Sequence, residues 1–262
     1  MTYSLGKTSS AVRRMFSLTP EGGVSHECYY RRLADLRKLI ALLRMHREAT
    51  HYSLLFGHNN QRQQTSARVQ LQLLLESRAL HHLDGFSDIK ACVTQQLQHW
   101  QQQTVRDNQL VHSQLIRDAL ILVQSTISTW AKADGQTHLL PTQRKSWQAI
   151  VPYMDTLTTL RLHIETLGKK DSQNAIRSLI KQLSHQLSAL HISQDLSLQQ
   201  HLHEDLLARI ADVDADSSAD EFKQRLYRIT SQLSELIFHC YDRSVTTVAQ
   251  SIYSTLPKIA VA

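Results

Sequence analysis

Arg47 stands where an amphipathic helix is due to bury an apolar side chain. Leu33, Leu36, Ile40 and Leu43 recur three and four apart, a spacing that stacks them on one helix face. The next step on that stripe is Arg47, before Thr50 and Leu54 continue it. A guanidinium keeps its proton inside a protein, so on a core face it needs a carboxylate, backbone carbonyls or a bound anion. Three readings are open: an arginine whose stem packs while its head reaches water, a structural ion pair, or a pocket for a small anion. For the ion pair, Glu165 and Asp155 are the candidate partners. For the pocket, a planar monovalent oxyanion matches the guanidinium fork, two nitrogens donating to two oxygens. Thr50 or His51, one helical turn on, is placed to add a donor.

Other chemistry finds less support. Glu48-Ala49-Thr50-His51 has the Glu-x-x-His spacing of di-iron helical bundles, but the chain holds no second copy, and no metal site is expected. His201 and His203 are two apart and point to different helix faces, and His81 and His82 suit a helix end. His185 and His239 are the only candidates for phosphotransfer, in undistinguished surroundings. No glycine-rich phosphate loop, nucleophile elbow or Cys-His arrangement occurs. The expectation is a protein that is not an enzyme and carries no cofactor.

These residues need helices to position them. The 262-residue chain has only 7 Gly and 4 Pro, is rich in Leu and Gln, and lacks β-branched runs, so an all-α fold is expected. Ser25 caps a first helix over 25–56 that stops at Gly57. Further helices follow over about 61–82, with Val69, Leu73 and Leu80 as its apolar residues, 87–103, and 106–132, with Leu115, Ala119, Leu122 and Thr126 inward. The second half repeats the plan over about 142–167, 172–190, 197–213 and 218–255. Capping boxes open the last two, Ser197 with Gln200 and Ser218 with Glu221. Eight helices with short turns predict two four-helix bundles, the long first and last helices tying them together. Residues 1–24 read as a disordered lead-in, 25–256 as the helical domain and 257–262 as a short tail.

Lys and Arg exceed Asp and Glu by 29 to 23, an excess spread too thinly for direct nucleic-acid binding. Three scattered cysteines form neither a disulfide framework nor a zinc site, and no signal peptide or membrane-spanning run appears. A cytoplasmic location is expected, with no membrane partner.

The segment Leu39-Ile40-Ala41-Leu42-Leu43-Arg44-Met45-His46-Arg47-Glu48-Ala49-Thr50-His51 resembles the first-helix motif of the nitrate- and nitrite-sensing (NIT) domain. Arg47 falls on that family's arginine, and Glu48 replaces the glycine that follows it. Val105-Arg106-Asp107 through Ile116-Arg117-Asp118-Ala119-Leu120 is similar to the family's fourth-helix region. Tyr153 to Gly168 resembles the helix that ends the family signature, and Leu206-Leu207-Ala208-Arg209-Ile210 resembles the stretch supplying a further arginine. The resemblance implies nitrate or nitrite held between two bundles by Arg47 and Arg209. After Gly168 the chain reads Lys169-Lys170-Asp171, so Asp171 replaces a family arginine; either Lys169, Lys170 or Arg177 supplies the charge, or anion binding is weakened or lost. It also implies signalling to a partner protein that carries the output function, since no output module follows the last helix; a homodimer stays open. The alternative is a ligand-free helical adaptor that keeps the fold and a partner surface but not the anion.

Overall fold

A computed structural model describes residues 24–57, 60–167, 170–189 and 219–253. The fold is all-α, and no strand occurs among the described residues. The α-helices are α1 (His26–Phe56), α2 (Gln61–Leu74), α3 (Arg78–His81), α4 (Phe86–His99), α5 (Val105–Ala133), α6 (Leu140–Glu165), α7 (Lys170–Ala189) and α8 (Ala219–Ile252). Nearly all of the lead-in expected over residues 1–24, the helix expected over 197–213, and the tail 257–262 lie outside the described residues.

Helix α1 is the axis of the first half. The Ser25 hydroxyl accepts from the Cys28 N–H at 3.2 Å, and Gly57 closes the helix in the left-handed region at φ 66°. From Leu36 to His51 its side chains are buried on several faces, because α2, α5 and α8 all pack against it. A helix enclosed in this way needs no single apolar stripe. Polar residues on it must therefore find partners on whichever neighbour they face.

Helices α1, α2, α4 and α5 form the first bundle, and α6 packs on α7 and α8 in the second half. Helix α5 joins the halves through α6, while α8 also reaches α5 and α1. The long first and last helices, 31 and 34 residues, thus bind the two halves together. The expected inner stripe of α5 is buried as a set, Leu115, Ala119, Leu122 and Thr126. Thr104 caps that helix, accepting from the Asp107 N–H while donating to its carboxylate at 2.7 Å.

The second helix departs from expectation. It breaks after Leu74 and restarts as the single turn α3, because the Ser77 hydroxyl donates to the Asp35 carboxylate on α1 and Leu80 folds into the core. Its buried face is Ala67, Leu71 and Leu74, with the small Ala67 fully buried in the first bundle. Val69 and Leu73 point outward instead, 45% and 72% exposed. Among the described residues no helix is long and apolar enough to cross a membrane.

Candidate anion site

The face of α1 turned to α8 carries Arg37, Arg44 and Arg47, and the three fare differently. The Arg37 Nε donates to the Asp242 carboxylate at 2.7 Å, and its Nη1 reaches the Thr246 hydroxyl at 3.4 Å. Arg44 donates to Glu235 at 2.5 Å and to the Ser234 hydroxyl at 3.3 Å, and its guanidinium lies 4.2 Å from the centroid of the Phe238 ring. Burial lowers the Arg44 pKa to about 10, with Glu235 opposing the shift and Arg47 adding to it. Arg47 has no ion pair among the described residues, and its buried Nε has no hydrogen-bond partner. Asp155, one carboxylate considered for it, pairs with Arg117 instead.

A second guanidinium meets Arg47 from the other half of the molecule. Arg161 projects from α6 with its Nε donating to the Thr230 hydroxyl at 3.1 Å and Nη2 to the Thr230 carbonyl at 2.8 Å. It too lacks a carboxylate partner among the described residues. Burial lowers its pKa to about 9, and the Arg47 charge lowers it further. Tyr227 of α8 completes the cluster: the Arg161 guanidinium sits 5.8 Å from its ring centroid, and its buried hydroxyl has no hydrogen-bond partner. The His51 ring stacks on Tyr227 at 3.9 Å with 7° between planes, and neither of its ring nitrogens is partnered. Burial, then the charges of Arg161 and Arg47, drive the His51 pKa down to about 3, so the ring is neutral.

Arg47, His51, Arg161 and Tyr227 are 5, 1, 1 and 0% exposed, so water does not answer these charges from outside. Two buried cations without a carboxylate are costly to fold around. Burial depresses the Arg47 pKa, and the Tyr227 phenol and Glu48 carboxylate only partly offset it. The chemistry these donors can perform is capture of an anion: the Arg47 fork, the Arg161 N–H groups that Thr230 does not take, one imidazole N–H and one phenol O–H.

Among the residues singled out from sequence, Arg47 and His51 are brought together here. Thr50 turns to α5: its hydroxyl donates to the His46 carbonyl at 2.8 Å and accepts from the Asn108 amide at 3.1 Å. Its neighbour in that network is a buried histidine pair, His46 Nδ1 and His112 Nε2 being 2.8 Å apart. His112 Nδ1 lies 2.8 Å from the Asn108 carbonyl and must donate to it, so its Nε2 accepts from His46. Arg177 lies exposed on α7. Arg209, Lys169 and the Lys170 side chain lie outside the described residues. Among the described residues no three His, Cys, Asp or Glu are grouped as metal ligands would be.

Arg161 and Tyr227 were not anticipated. Arg161 repeats the signal that marked Arg47, a cation set among Leu157, Leu160 and Ile164 on the buried face of its helix. No protein-family model, curated protein or solved structure matches the chain.

Proposed function

We propose that this protein is a non-enzymatic sensor that binds nitrate or nitrite between its two helical halves and signals to a separate output protein. The observation that carries the reading is the pairing of Arg47 and Arg161, buried, adjacent and without carboxylates. One comes from α1 and the other from α6, so an anion between them joins elements of both halves. The empty site holds like charges together, and the anion relieves that repulsion only while the halves stay closed. This is the differential interaction that ligand switching requires.

Melting in matched concentrations of nitrate, nitrite, chloride and sulfate tests it. Nitrate or nitrite should raise the melting temperature beyond equal chloride, with about 2.7 kcal/mol of added stability at a hundredfold excess over Kd. For a chain of this size that is a rise of roughly 5–10 °C. Identical curves in all four salts would favour the ligand-free adaptor. Its docking surface would then be sought at the exposed Val69 and Leu73 on α2.

A further inference from the structure

A hollow of about 240 Å³ lies on the first bundle between α2 and the end of α4. At roughly 30 Å³ per molecule it has the volume of about eight waters, room for one small ring. Helix spacing lines it: Arg68 and Gln72 stand one turn apart on α2, and Thr94 and Gln98 one turn apart on α4, with Gln101 beyond them. Trp100, in the 3-10 turn Trp100–Gln102 that follows α4, is half-buried and forms part of the wall. His46 holds the indole from inside the bundle, the two rings meeting at 88° with centroids 6.4 Å apart.

The glutamines behind the wall differ from those that line it. Gln96 is buried and trades amide hydrogen bonds with Gln103 at 3.0 and 2.7 Å. Among the described residues Gln72, Gln98 and Gln101 have no side-chain hydrogen-bond partner, and Arg68 has no ion pair. Glu76, just past α2, pairs with Lys90 of α4 at 2.9 Å. Each lining group selects a feature of a ligand. An amide both donates and accepts, as a hydroxyl does; a guanidinium binds a carboxylate through two parallel bonds; an indole presents an apolar face to C–H groups.

We propose that this hollow binds a sugar acid, a pyranose carrying one carboxylate. Arg68 takes the carboxylate, Gln72, Gln98 and Gln101 take the hydroxyls, and Trp100 packs against the ring. A plain carboxylate uses the guanidinium alone, and a neutral sugar leaves its charge unanswered. The site is separate from the Arg47 and Arg161 pair and does not depend on the reading given to it.

The test uses the full chain, isotopically labelled at its three tryptophans, whose indole N–H resonances report binding. Trp100→Phe assigns the Trp100 signal. Glucuronate or galacturonate should move that signal saturably and leave that of the buried Trp130 in place. Glucose and acetate should each bind about tenfold more weakly, since each loses one set of contacts. Arg68→Gln, at an exposed position, should weaken uronate binding about tenfold, and Gln98→Ala severalfold. Three results overturn the proposal: no movement of the Trp100 signal with either uronate, acetate or glucose binding as tightly as the uronates, or an affinity unchanged in Arg68→Gln.

Discussion

Replacement of Arg47 by Met is expected to leave the anion-free protein at least as stable as the parent, and up to about 4 kcal/mol more stable, while erasing its nitrate response. Methionine keeps the packing of the long stem and removes a charge that has no ion-pair partner among the described residues. It also relieves the repulsion between Arg47 and Arg161. Urea unfolding in nitrate-free buffer reads the first effect, and melting with added nitrate reads the second. A loss of about 3–5 kcal/mol in the anion-free variant would show that Arg47 answers a buried negative charge and is structural. Arg161→Met should also lose the nitrate response but gain less stability, since it gives up two hydrogen bonds to Thr230.

Acid is expected to destabilise this protein from about pH 6.5 downward. An unfolded histidine takes up its proton near pH 6.5, whereas folded His46 resists until about pH 4 and His51 until about pH 3. Burial is the main cause for both, and His112 is driven well below its ordinary value for the same reason. Between these limits the unfolded chain binds more protons than the native one, so stability falls as pH falls. Each histidine contributes up to about 1.4 kcal/mol per pH unit, with His46 and His112 acting as a coupled pair. Above pH 6.5 both states hold these rings neutral and the histidine contribution is flat. Unfolding free energies measured by urea titration should therefore be level near pH 7–8 and drop by several kcal/mol by pH 4.5. A level profile down to pH 4.5 would contradict the buried, neutral state of these rings. His51→Phe, which preserves stacking on Tyr227, should remove part of the slope.

Most of the helices are legible from the sequence because the signals that make them are local. Ser25 and Gly57 bound α1, and the spacing of Leu115, Ala119 and Leu122 sets the inner face of α5. The break between α2 and α3 is not local. It depends on the Ser77 contact with Asp35 on another helix, and hydrophobic spacing alone places Val69 and Leu73 on the wrong side. The same division governs the candidate site. Arg47 stands out because an arginine interrupts a leucine stripe, and Arg161 carries the same mark among Leu157, Leu160 and Ile164. Tyr227 has no such mark. An aromatic on a buried helix face reads as core, and only the helices standing opposite bring guanidiniums beside it. Thr50 shows the converse, since its place on the helix suits the site but Asn108 stands beside it.

The enclosure of α1 sets the order in which the chain can finish folding as it is made. Arg37 emerges with α1, and its partner Asp242 lies 205 positions later. At ribosomal speeds of about 5–20 residues per second, that face of α1 waits roughly 10–40 s for α8. During this interval Arg37, Arg44 and Arg47 lie on an open, hydrated surface of a half-built bundle. The charged face keeps that surface from being bare leucine, and α8, made some two hundred residues after α1, closes it.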